Sequence, residues 1–168
     1  MYTVNNLITD LDQFKDWVLS LQHMEEKLFF EPIAEGKWST AEIITHITFW
    51  DQYIMSEMLP KMTQDADIHS IDVETLNQKS SIHANSGISQ QQILQENVQA
   101  RGSLVKLLKE IPQDNFFITF QLNGETIDEH SGYPHSIFNY FCSFVWHDNH
   151  HRKQIEGFLN EKSKIKLK

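Results

Sequence analysis

The sequence predicts an all-α fold, a four-helix bundle. Three observations carry the prediction: four segments repeat apolar residues at three- and four-residue steps, two serine-led capping signals mark where helices begin, and a long, weakly patterned stretch separates the second helix from the third. At 168 residues the chain is long enough to bury a sizeable core without staples, and it reads as a single domain over residues 1–168.

Leu7, Leu11, Phe14, Val18 and Leu21 form one amphipathic stripe, which predicts a first helix over 4–28. Residues 31–38 contain Pro32 and Gly36 without sustained periodicity and read as a connector. Ser39-Thr40-Ala41-Glu42 then has the form of a capping box, in which the Ser39 hydroxyl accepts from the Glu42 N–H and the Glu42 side chain reaches back to Ser39. The second helix starts there with the stripe Ile43, Ile47, Trp50, Tyr53 and Ile54, and Pro60 ends or bends it near residue 59.

Residues 61–88 are the least regular part, with one short helix expected over 73–84. A connection this long is either functional or disordered, and it is what a crossover between two parallel helices requires. Ser89-Gln90-Gln91-Gln92 repeats the capping logic before a third helix over 90–110, whose partial stripe is Ile93, Val98, Leu104, Leu107 and Leu108. Between residues 116 and 127, apolar residues flank Asn123-Gly124, the chemistry of a short hairpin lying against the end of the bundle. Gly132-Tyr133-Pro134 opens the fourth helix, over 134–159. This helix has two apolar faces: Tyr140, Phe144, Ile155 and Phe158 on one, Phe138, Phe141 and Val145 on another. It is therefore either central to the bundle or shared with a second copy, and a symmetric homodimer is expected.

Composition excludes several classes of function. Fourteen basic against 23 acidic residues give a net charge of −9, with no basic stripe to track phosphates, so no nucleic-acid partner is expected. The one basic cluster, Lys162, Lys164, Lys166 and Lys168, reads as a solvated helix end. No stretch approaches the roughly twenty apolar residues of a membrane span, and residues 1–11 include Asp10 and no apolar leader core, so neither membrane insertion nor export is expected. The single Cys142 leaves no intramolecular disulfide and fits a reducing, cytoplasmic location; it reads as a packed residue, neither ligand nor nucleophile.

The chemistry concentrates in three histidines on apolar faces. His147 and His151 stand one helical turn apart beside Phe144 and Ile155, and His46 lies in the stripe of the second helix, one turn before Trp50. Each imidazole either satisfies a buried hydrogen-bond partner in the core or joins a metal site, since neutral imidazole is the commonest protein ligand for zinc, nickel and similar ions. Convergence needs the second and fourth helices to be neighbours. Three imidazoles then leave coordination positions open, as at a catalytic ion and unlike a closed structural one. Glu42, one turn before His46, is assigned to capping rather than to orienting that ring. Asp148 and His150 point to other sides of the helix and are assigned supporting or surface roles. His69 and His83 read as solvated.

Trp38-Ser39-x-x-Glu42-x-x-x-His46, together with His147-Asp148-x-x-His151-Arg152-x-Gln154-Ile155, resembles the DinB-like superfamily of metal-binding four-helix bundles over most of the chain. The resemblance implies an up-down-down-up bundle, frequent dimers, and a divalent ion, often zinc or nickel, on the residues matching His46, His147 and His151. It also implies small-molecule substrates, because relatives include bacillithiol- and mycothiol-dependent transferases and isomerases. The leading expectation is a thiol S-transferase whose His-bound ion activates a low-molecular-weight thiol. The alternatives are a metal-dependent hydrolase and a non-catalytic stress-related binding protein with a structural or adventitious metal.

Overall fold

A computed structural model describes residues 1–166, with side chains through residue 164. Its long helices are α1 (Val4–Ser20), α3 (Thr40–Tyr53), α5 (Gln90–Glu110) and α6 (Ile137–Lys166); α2 (Glu26–Phe30) and α4 (Val73–Ala84) are shorter. α1 packs on α5 and α6, and α3 packs on the same two, so the second and fourth bundle helices are neighbours, as convergence of the histidines requires. The fold is a four-helix bundle with the up-down-down-up connectivity the resemblance implied.

The two bundle helices that flank the crossover both begin at serine caps. Ser39 and Glu42 form the reciprocal box at the start of α3. Ser89 accepts from the Gln92 N–H at the start of α5. Gln92 does not return the bond; its amide goes to Glu96. Between them the chain widens into a π turn at Ile54–Met58 and a 3-10 turn at Leu59–Lys61, where Pro60 has no N–H to continue an α-helix.

Several boundaries differ from expectation. The first helix ends at Ser20, eight residues short of 28, because Met24 is extended and the chain turns to seat Phe29 among Phe14, Val18, Ile43 and Ile44. The last helix starts at Ile137 rather than at Pro134. Pro134 bridges Ile127 in extended conformation, and Ser136 supplies the cap, its Oγ accepting from the Asn139 N–H at 3.2 Å. The expected hairpin is only partly there. Leu122 and Glu125 exchange both backbone bonds around Asn123 and Gly124, which have φ of 54° and 85°, so the tight turn forms. Yet β2 (Gln121–Leu122) pairs in parallel with β1 (Asp67–Ile68) of the crossover, because that pairing buries Ile68 against Phe116 and Phe120 at the bundle end. On α5, Leu107 is exposed. Ile93, Leu104 and Leu108 of the expected stripe are buried, and the inward line Leu94, Asn97, Arg101, Leu104 and Leu108 includes two polar residues that the stripe did not contain.

Buried apolar residues form two clusters, one around Leu11, Ile54, Leu104 and Phe141, the other around Phe14, Ile47, Ile93 and Ile155. By position along each helix a polar layer lies between them. Arg101 donates to Asp51 at 2.8 and 3.0 Å and to Asp148 at 2.6 Å, joining α5, α3 and α6. Both apolar faces of α6 reach the interior, Phe141 from one and Ile155 and Phe158 from the other. Of the basic cluster, Lys162 is not a solvated end: it pairs with Glu31 and lies over the Phe158 ring. Lys164 is exposed. The side chain of Lys166, and Lys168, lie outside the described residues. Among the described residues no helix is long and apolar enough to cross a membrane.

Candidate metal centre

His46 enters from the second turn of α3, and His147 and His151 come from consecutive turns of α6. The structure brings all three together. The Nε2 atoms of His46 and His151 each lie 3.1 Å from Nε2 of His147, and one ligand atom from each ring falls within 4.8 Å of the others. His46 is buried between Trp38 and Trp50, whose ring centres lie 5.0 and 6.3 Å from its own.

The outward nitrogens decide what faces inward. Nδ1 of His151 donates to Gln154 Oε1 at 2.8 Å, which leaves its Nε2 as a lone pair aimed at the other two rings. Nδ1 of His147 lies 3.8 Å from the Asp148 carboxylate, and Nδ1 of His46 is buried without a hydrogen-bonded partner. Burial, reinforced by the neighbouring imidazole of His147, pushes His46 down to about 3 and His151 down to about 4, so both rings are neutral at pH 7. A ring proton satisfies at most one of the two 3.1 Å contacts well, whereas a single cation satisfies three converging lone pairs. The donor set therefore fits a divalent ion of borderline softness.

The flanking residues sort themselves. Asp148 belongs to the buried layer: burial works to raise its carboxyl, but the Arg101 guanidinium and the nearby His147 ring hold it below the usual carboxylate range. His150 is exposed and stacks on Trp146. Glu42 caps α3 as expected and also accepts from Ser81 of α4 at 2.6 Å. His83 is not simply solvated, since it bonds Glu96 at 2.8 Å, whereas His69 is exposed near Asp67.

Among the described residues, cavities border the cluster on two sides. The larger, about 690 Å³, meets it through His46 and His147 and is walled by Trp50, Phe144, Trp146 and Val73, with Asp128, Ser131 and Asn139 among its polar residues. None of the described residues lining it is a lysine or arginine. Cys142 faces this cavity too, and burial pushes its thiol up, which keeps it protonated and unsuited to attack. The smaller cavity, about 310 Å³, meets the cluster through His151 and contains Trp38 and Lys37. Sequence patterning missed the loop carrying Asp128 and Ser131, which no periodicity ties to the histidines. It also missed Arg101, although its place on the inward line of α5 was a readable signal.

A sequence model of the DinB superfamily matches residues 11–155. No curated protein matches the sequence at a significant level. The fold is similar to that of YfiT from Bacillus subtilis, described as a probable metal-dependent hydrolase with an unusual four-helix bundle topology, at TM-score 0.71 and 16% identity over 95% of this chain and 87% of that one. An uncharacterised protein from Clostridium difficile gives TM-score 0.70 at 11% identity over 95% and 97% of the two chains. A protein from Streptococcus pneumoniae gives 0.67 at 12% identity over 95% and 92%.

Proposed function

Because this chain belongs to the DinB superfamily, we propose that His46, His147 and His151 hold a divalent ion, zinc or nickel, and that the protein is a metal-dependent enzyme acting on a small molecule. The single observation behind the reading is the convergence of three Nε2 atoms from two helices at the edge of an apolar cavity. When bound, such an ion favours the deprotonated form of a water or thiol at neutral pH. The chain's own residues do the rest. Gln154 holds His151 in the tautomer that presents Nε2, and Trp38 and Trp50 fix the plane of His46 and keep bulk water off it. Trp50, Phe144 and Val73 offer an uncharged, largely apolar substrate a site beside the histidines.

Thiol S-transfer is the reaction we place first. A two-substrate reaction makes use of two cavities on one centre: the apolar one suits a soft electrophile, and the one with Lys37 gives a cation to a thiol that carries a carboxylate. Hydrolysis is the second reading, supported by the description of YfiT. The proposal takes the chain as a cytoplasmic homodimer, supported by the exposed apolar side chains Phe117, Ile127, Tyr133 and Trp146. Elemental analysis of untagged protein beside His46→Ala and His147→Ala is the test. Near-stoichiometric metal in the wild type, lost in both variants, is the expected result, followed by turnover of an apolar electrophile that depends on added thiol. Turnover without thiol selects hydrolysis. No metal after reconstitution overturns the enzymatic reading.

A further inference from the structure

The crossover helix α4 lies antiparallel along α3 in a fixed register. Glu42 Oε1 accepts from Ser81 Oγ at 2.6 Å and from Asn85 Nδ2 at 3.2 Å, tying the first turn of α3 to the last turns of α4. Burial works against the Glu42 charge, but bonds donated by Ser39, Ser81 and Asn85 hold the carboxyl below its ordinary range, so the tie is a charged one. One turn along α3 from Glu42 is His46, and one turn back along α4 from Ser81 is Asn77. The register that joins Glu42 to Ser81 therefore sets Asn77 opposite His46.

Two atoms there are left without partners. Nδ1 of His46 and Oδ1 of Asn77 are both buried and both lack a hydrogen bond of good geometry. They are complementary, one a donor when Nε2 is the inward lone pair, the other only an acceptor. Buried polar atoms are rarely left unpaired, and across the packed face of α3 and α4 each of these two is the kind of partner the other lacks.

We propose that Asn77 is a positioning residue of the metal centre: its Oδ1 accepts the Nδ1–H of His46, holds the ring in the tautomer that aims Nε2 at the ion, and makes the crossover helix part of the site. The inference rests on the three-histidine metal reading and extends it from the ligands to what orients them. His151 has the same arrangement with Gln154, an amide oxygen on its outward nitrogen. Losing such a partner characteristically weakens metal binding by about 10- to 100-fold.

The test compares wild type, Asn77→Leu and Asn77→Asp for Zn²⁺ affinity, by competition with a chromophoric chelator at neutral pH, and for the visible spectrum of the Co²⁺-loaded protein. Thermal unfolding of each metal-free form is recorded beside them. Asn77→Leu is expected to weaken Zn²⁺ binding by about 10- to 100-fold and to shift the Co²⁺ spectrum, while Asn77→Asp, which keeps the acceptor oxygen, restores both. A purely structural role would lower the metal-free melting temperature and leave affinity and spectrum unchanged, which overturns the inference. Wild type that takes up no Zn²⁺ overturns the metal reading itself, an outcome distinct from wild type and Asn77→Leu binding equally. Should Asn77→Leu not fold, the zinc-loaded wild type decides by NMR. A slowly exchanging, downfield His46 Nδ1–H is expected, and its absence overturns the proposal.

Discussion

Arg101 shows how a single residue ties stability to the site. It is 1% exposed, and its guanidinium is shared by Asp51 and Asp148, which come from the two helices that bear the histidines. Burial works to strip its charge, but the two carboxylates more than offset that and hold it firmly protonated. Asp148 directly follows His147, so the same ion pair sets the rotation of α6 at the metal centre. Replacing Arg101 with Met keeps the volume and strands two carboxylates in the interior. The expected cost is about 3–5 kcal/mol, because the charges left behind lose the guanidinium that pairs them. Urea unfolding measures it, and a loss below about 1 kcal/mol, the scale of an exposed pair, would mean that the layer is wetter than its burial implies.

Helix positions were legible where local chemistry settles them. The Ser39 and Ser89 caps placed the starts of α3 and α5, and the Val73–Ala84 helix was readable from its own stretch. What was hidden depends on partners far away in sequence. Nothing near Leu21 announces that the chain must break so that Phe29 can be buried, and nothing in 116–127 says that its strand pairs with residue 68 instead of folding only on itself. The same division holds at the site. The histidines stood out because they interrupt apolar stripes, whereas Asn77 is an ordinary polar residue until Glu42 fixes its register. Glu42→Ala isolates that element. It removes half the capping box and both ties to α4, and the expected destabilisation is about 1–2 kcal/mol, the upper part of the range for a lost cap. Hydrogen exchange should locate the loss, with α4 amides exchanging faster while those of α5 are unchanged. Equal acceleration in both helices would mean that Glu42 supports the bundle generally and has no special hold on the crossover.

At the scale of the whole molecule, metal and fold are separable. Apolar clusters at both ends of the bundle supply a core that does not involve the histidines, so removing metal with a chelator should leave the helical circular dichroism intact. Zinc present at a hundred times its dissociation constant should then raise stability by about 2.7 kcal/mol. Acid acts on the metal-free protein in a definite direction. His46 and His151 stay neutral in the folded state down to about 3 and 4, held there by burial and by the imidazole of His147, while the unfolded chain takes up their protons near the ordinary value of about 6.5. Between those limits the unfolded state binds more protons, so their contribution to stability is complete above roughly 6.5 and is lost as the pH falls toward 4. Asp51, raised by burial to about 6 despite Arg101, works in the opposite direction over part of that window. The His46→Ala variant separates the two effects. Between pH 7 and pH 5 the melting temperature of the metal-free wild type should fall, and that of metal-free His46→Ala should fall less. Parallel curves for the two proteins would mean that His46 accepts a proton in the folded state as readily as in the unfolded one, and the inward-facing neutral imidazole on which the metal centre is built would not exist.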